Sequence, residues 1–225
     1  MKVIARINTD FPTKFGIPRQ SGLAQTEATI VFEPEYRFDE ALRGIEEYSH
    51  LWLIWEFSEV KDKPWSPTVR PPRLGGNKRV GVFATRSPFR PNPVGLSCVK
   101  LLRCEKTSEG MVLIVSGADL MDSTPIYDIK PYIPYADCHT DAKGSFSDTH
   151  KDYKLNVECD ESLMSKIPEN KREALTQVLS QDPRPSYIDD AARVFGFEFA
   201  GFEIKFTVKE NTLRVTDIHN SNNEQ

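Results

Sequence analysis

Apolar and polar positions alternate with a period of two along several short stretches, and that period predicts strands. Val3 to Ile7 alternates in this way, and so does Glu27 to Phe32, EATIVF. Leu51 to Phe57, LWLIWEF, is an apolar run of strand length rich in aromatics; it predicts a central strand with both tryptophans in the core. Val80 to Ala84 is a further short strand candidate. Val94 to Arg103 is apolar and β-branched enough for a strand, and Met111 to Ser116 pairs with it through a turn at Glu109-Gly110. Helical spacing in this part is confined to Phe38–Glu47, with Asp39 near its start. From Asp119 to Asp137 a strand runs into a polar segment broken by Pro125, Pro131 and Pro134. No strand leads into a GxGxxG turn and helix, which argues against a dinucleotide-binding sheet. An antiparallel barrel or strongly curled sheet fits the spacing better.

The pattern changes after a polar linker, Thr140 to Asp152. Ser162–Ile167 and Asn170–Ser180 have helical spacing, with Leu175, Val178 and Leu179 on one face. Asp182-Pro183-Arg184-Pro185 ends that helix, and Ile188–Val194 is a further helical turn. Gly201–Val208 and Leu213–Ile218 alternate as a hairpin through Glu210-Asn211, and Ser221–Gln225 is a frayed tail. The expected architecture is a mainly β N-terminal domain over 1–140, a single-sheet antiparallel β-barrel, followed by a small α+β domain over 150–220. No repeat or low-complexity tract interrupts it.

Composition adds bounds. A chain of 225 residues with 39% hydrophobic and 28% charged residues has the balance of a soluble globular protein, and no apolar run approaches membrane-spanning length. The N-terminus lacks the apolar core of a signal peptide. Cys98, Cys104, Cys138 and Cys159 form no CxxC pair and read as reduced, cytosolic thiols. The four histidines are scattered, and in Asp137-Cys138-His139 adjacent residues of an extended chain face opposite sides, so no metal site is expected.

Charge is distributed unevenly. Between Lys63 and Cys104 there are nine Lys or Arg and no Asp or Glu, while the rest of the chain holds 20 basic against 33 acidic residues. Within that window Thr68–Gly95, TVRPPRLGGNKRVGVFATRSPFRPNPVG, is dense in Pro and Gly, so it is shaped loop around one short strand. Two readings stand: a solvated basic face, or an anion site in which stiff loops hold the guanidinium forks of Arg70, Arg73, Arg79, Arg86 and Arg90 in place.

This stretch resembles the signature of the TrmO family, also called TsaA-like or YaeB-like proteins. FGIPRQSGL (Phe15–Leu23), YSHLWLIWEF (Tyr48–Phe57) and DSTPIYDIKPYIPYAD (Asp122–Asp137) resemble it in the same order, and DPRP (Asp182–Pro185) resembles its C-terminal motif. The resemblance implies a β-barrel methyltransferase that transfers a methyl group from S-adenosylmethionine to N6 of threonylcarbamoyl-adenosine beside the tRNA anticodon. It implies donor contacts from Pro18, Arg19, Gln20, Arg86, Leu96, Asp122, Ser123, Thr124 and Pro125. Where family members often carry a His after the central strand, this chain has Ser58-Glu59, which leaves a backbone contact there. A homodimer with the site near the subunit interface is also implied, and neither a metal nor a membrane is.

Methyl transfer from a sulfonium is an in-line displacement, so the protein must mainly align the two partners and exclude water. The acceptor nitrogen sits in a urea-like group, and a modest base suffices. Asp122, Asp128 and Asp137 are the base candidates, Lys130 or Arg86 could hold the threonyl carboxylate or a phosphate, and Asn92 is a candidate fixed amide or a loop cap. Two alternatives remain open: an S-adenosylmethionine-dependent enzyme acting on a small anionic substrate, or a non-catalytic RNA- or anion-binding module. Because the long motifs precede the linker, donor binding is expected of a chain ending near Ala142.

Overall fold

The computed structural model describes residues 1–71, 78–150, 152–184 and 190–221. In chain order the first part holds β1 (Ala5–Asn8), β2 (Glu27–Phe32), β3 (His50–Glu56), the two-residue strands β4 (Thr68–Val69) and β5 (Val80–Gly81), β6 (Val94–Thr107), β7 (Gly110–Ser116) and β8 (Thr124–Pro131). β1, β2, β7, β6, β3 and β8 pair antiparallel in that order, and β8 pairs back with β1, so the sheet closes on itself. Among the described residues β4 and β5 pair only with each other.

Alternation fills the interior of this ring. Leu51, Leu53 and Trp55 of β3 point inward and meet Ile7, Ile30, Leu113, Val115 and Ile126, all buried. A sheet this small leaves room only for packed side chains. Trp52, also expected in the core, sits on the outer face instead: the period-two pleat sends it opposite to Leu51 and Leu53, and its Nε1 donates to Asp137 Oδ2 at 2.9 Å. β3 and β6 fit through a Trp–Gly pair, Trp55 opposite Gly95. A Cβ on Gly95 would overlap the indole at Cε2 and Cζ2, so only glycine lets the ring lie across β6 there.

Several expectations change in detail. Val80–Ala84 is a strand only over Val80–Gly81; Val82–Ala84 tighten into a 3-10 turn with Val82 buried. Phe38–Glu47 forms two 3-10 turns, Asp39–Leu42 and Ile45–Glu47, with Gly44 between them at φ +85°, where a continuous helix cannot pass. The segment after Asp119 contributes a full strand, β8, which closes the ring. Pro125 lies near its start and Pro131 at its end, positions where a missing N–H is tolerated.

The first part ends in the short helix α1 (Pro134–Asp137), and the second holds β9 (Asn156–Glu158), α2 (Glu161–Met164), α3 (Glu169–Ser180), β10 (Phe195–Phe199), β11 (Phe202–Lys209) and β12 (Thr212–Asn220). Its sheet runs β10-β11-β12-β9, and the expected hairpin turns at Glu210, φ +54°. α3 buries Leu175, Val178 and Leu179 in the core of this unit. Arg73, Pro185, the Ile188–Asp189 end of the expected helical turn and Asn222–Gln225 lie outside the described residues.

The second core also takes residues from far upstream. Phe11 and Ala24 are buried in it, and the Phe11 ring lies 5.5 Å from that of Phe199. Ile17 packs on the same cluster, and Gly16, at φ +81°, lies against Phe197 with no room for a Cβ. Polar links follow the same path: Lys171 Nζ to Asp10 Oδ2 at 2.6 Å, Gln25 N to Gln177 Oε1 at 2.7 Å, and Arg19 Nη2 to the Asp182 carbonyl at 3.3 Å. The loop carrying Pro18-Arg19-Gln20 is therefore shaped by the second unit as much as by the first. The mainly β expectation, with helices in the last third, holds.

Candidate functional site

A cleft of about 510 Å³ opens where β3 ends, where β6 begins and where the Phe11–Gly22 loop crosses the ring. Of the residues expected to contact the donor, Pro18, Arg19, Gln20, Ser58, Glu59, Arg86, Leu96 and Thr124 all line it. The local reasons differ. Pro18 is buried, and the loop beyond it places Arg19 and Gln20 at the rim. Ser58–Val60 form a 3-10 turn as β3 leaves the sheet, and the Phe57 N–H is held by the Pro93 carbonyl at 2.8 Å. Leu96 is on the outer face of β6, 55% exposed. Arg86 donates to Gln20 Oε1, tying the basic loop to the Phe11–Gly22 loop.

The segment Asp122–Pro125 divides. Thr124 is buried and reaches the cleft, with Oγ1 donating to the Met121 carbonyl at 2.6 Å. Asp122 faces a separate depression beside Asp10 and Lys171; its Oδ1 accepts the Thr9 N–H at 2.9 Å and its Oδ2 the Ser123 hydroxyl at 3.0 Å. Ser123 is exposed at φ +63°, the turn that separates the two directions. Pro125 is buried in β8 opposite Arg6. Asp122, Ser123 and Pro125 thus frame the turn and do not form the described wall.

None of the expected catalytic residues lines the cleft. Asp128 and Lys130 lie opposite Ile54 and Trp52, so the pleat carries them to the outer face of the ring, where they pair at 2.9 Å. Asp137 accepts from Trp52 Nε1 and from the Ile133 N–H, each at 2.9 Å; the backbone bond and then the indole bond hold its carboxyl below the usual range. Asn92 is exposed in its loop, with its carbonyl accepting the Val94 N–H at 2.8 Å.

Two of the cleft's acidic groups, Glu56 and Asp119, are ones the sequence did not single out. Asp119 follows β7 through Gly117, at φ +83°, and enters the cleft floor. A chain of donors leads to it: Trp55 Nε1 to Ser97 Oγ at 2.9 Å, and Ser97 Oγ to Asp119 Oδ1 at 2.5 Å. Burial pushes the Asp119 carboxyl above its ordinary value, against the Ser97 hydrogen bond and the nearby Arg86 charge. Glu56 is buried and bridged to Lys61 at 3.3 Å; burial and then the Glu56 carboxylate raise Tyr127 to about 12. The only sequence signal for Asp119 is its place three residues after the apolar run Met111–Ser116, where a buried strand surfaces at the end of the sheet.

Buried carboxylates, rim guanidiniums (Arg19, Arg86, Arg90) and the apolar faces of Trp55, Phe57 and Leu96 form a donor set that fits an amphoteric ligand carrying both charges and a flat ring, in a volume typical of cofactor sites. Against this cleft lies a larger groove, about 1290 Å³, lined by the basic stretch and by Lys143–Ser147 of the linker. Arg19, Gln20, Thr85, Arg86 and Pro88 belong to both. Among the described residues no group of His, Cys, Asp and Glu could hold a metal ion, and no helix is long and apolar enough to cross a membrane.

The chain is similar to known proteins over both of its parts. The family model described as "tRNA-methyltransferase O N-terminal domain" matches residues 6–138, and the "TrmO C-terminal domain" model matches residues 152–221. A protein of Escherichia coli named tRNA (adenine(37)-N6)-methyltransferase is 37% identical over 223 residues, 94% of each chain. A Pseudomonas aeruginosa protein named as a putative S-adenosylmethionine-dependent methyltransferase is 38% identical over 226 residues, 96% of this chain and 95% of that one. A crystal structure of TrmO from the same genus and species superposes with a TM-score of 0.79 at 33% identity, covering 98% of this chain and 97% of that chain. With both domain models matched in order and relatives aligned over nearly the full length, the chain belongs to the TrmO family.

Proposed function

We propose that this protein methylates N6 of threonylcarbamoyl-adenosine beside the anticodon of tRNA, with S-adenosylmethionine as donor. The names of its relatives support a tRNA adenine-N6 methyltransferase that uses this donor. One observation carries the reading further: the amphoteric cleft and the basic groove share a wall, and Arg86 stands in it. A cationic cofactor and an anionic polymer can therefore meet across a single layer of side chains.

When bound, the donor supplies a methyl group already activated on a cationic sulfur. The chain's part is alignment and charge. Asp119 offers buried negative charge at the cleft floor, and its raised proton affinity is lowered by any cation seated beside it. Trp55 and Ser97 keep its carboxylate in one orientation. Gln20 holds Arg86, whose guanidinium is placed for a carboxylate entering from the groove, as the threonyl group would. Transfer would form the C–N bond as the S–C bond breaks, releasing the donor as a neutral thioether together with the N6 proton, which in a urea-like group is acidic enough for solvent water to take it. The homodimer implied by the family resemblance belongs to the same proposal. The exposed Leu96 and Tyr135 support it, and sedimentation equilibrium tests it.

The experiment is methyl transfer from labelled S-adenosylmethionine to one tRNA in two forms, with and without threonylcarbamoyl-adenosine, followed by digestion and identification of the nucleoside. A site that pairs a charged substrate group can reject its absence by about four orders of magnitude. Comparable turnover on the unmodified transcript refutes the proposal.

A further inference from the structure

We infer that Phe83 and Phe89 are base-stacking residues that receive unpaired nucleotides of the anticodon loop in the basic groove; this rests on the tRNA reading above. Phe83 is 74% exposed and Phe89 41%. Large apolar rings left in solvent on one surface mark a contact site. Both line the groove with Arg70, Arg79 and Lys143, and no Asp or Glu is among its described lining residues.

The rings are held in place. The Arg90 guanidinium lies 5.6 Å from the Phe83 ring centroid and is itself fixed, donating to the Val82 carbonyl at 3.2 Å and the Thr85 carbonyl at 2.7 Å. One side of Phe83 is thus backed by a stationary cation. The Phe89 carbonyl accepts the Ser66 N–H at 3.3 Å, and Arg79 Nε bonds Thr68 Oγ1 at 2.7 Å, which ties β4 to β5 under the groove.

Cations track a phosphate backbone, and aromatic faces between them take bases of any identity. In a duplex the base faces are hidden within the stack, so exposed rings serve unpaired bases. The groove leads into the cleft across Arg86, so nucleotides held on Phe83 and Phe89 flank the one whose N6 must reach the donor.

The test uses the full chain, an anticodon stem-loop RNA and a fully paired duplex of equal charge. Phe83→Leu and Phe89→Leu keep apolar volume and remove the ring face. Each is expected to weaken stem-loop binding roughly 5- to 150-fold, the range for one stacked base. Duplex binding and donor affinity should stay unchanged, and Phe83→Trp should retain stem-loop affinity. Unchanged stem-loop affinity in both leucine variants overturns the inference, as does an equal loss for duplex or a parallel loss of donor affinity. A protein that binds the stem-loop through these rings yet transfers no methyl group refutes the proposed function alone.

Discussion

Gly16 joins the Phe11–Gly22 loop to the second core, and Gly16→Ala tests that join. The residue has φ +81°, and a Cβ there would overlap Phe197 Cδ2 and sit 2.5 Å from Cε2. Phe197 is 5% exposed and has little room to retreat. A left-handed backbone costs a non-glycine residue about 1–2 kcal/mol. Forcing an extra carbon into a packed core adds about 1–3 kcal/mol. Gly16→Ala should therefore destabilise the chain by about 2–5 kcal/mol, read from urea midpoints. In a Phe197→Val background the overlap is removed, and only the backbone share of about 1–2 kcal/mol should remain. Arg19 and Gln20 follow closely in the chain, so calorimetric affinity for S-adenosylmethionine should fall in Gly16→Ala under conditions where the protein is still folded. An equal penalty in both backgrounds, or a large penalty with donor affinity intact, refutes the reasoning.

A chain ending at Ala142 strips the cover from Phe11 and Ala24 and removes the Asp182 carbonyl that holds Arg19. Contrary to the motif-based expectation, it should lose donor affinity; calorimetry on a folded truncation that binds normally would overturn this. Arg86→Ala should lower donor affinity by roughly 1.5–3 kcal/mol, the scale of a charged hydrogen bond; a loss confined to tRNA affinity would assign the residue to the groove instead. Asp119→Asn should raise stability at neutral pH while reducing donor affinity. Burial raises the folded-state pKa of Asp119, so its ionised form opposes folding above the ordinary Asp range, and the effect disappears as both states protonate. Urea midpoints should show a gain near pH 7 that vanishes below about pH 3.5; a loss of stability at neutral pH would sink the assignment.

Local chemistry in the sequence is enough for much of this protein. Period-two runs mark β1, β2, β11 and β12 because a half-buried strand must alternate, apolar runs of strand length mark β3 and β7, and both constraints act on neighbours in the chain. The Phe15–Leu23 loop, the basic stretch and the turn before Thr124 are legible as motifs because their shape depends on Pro, Gly and charge at fixed spacing. Other features were decided only by tertiary structure. Pairing with β3 turned Asp128 and Lys130 outward, a matter of register that no single strand contains. Gly95 is needed only because Trp55 lies across it, and Asp119 becomes a site residue only because Ser97 and Trp55 converge on it from other strands. Phe11 opens a loop, yet it fills a core built from residues far later in the chain. Burial is a property of what packs around a side chain, and those partners are brought together only by the fold.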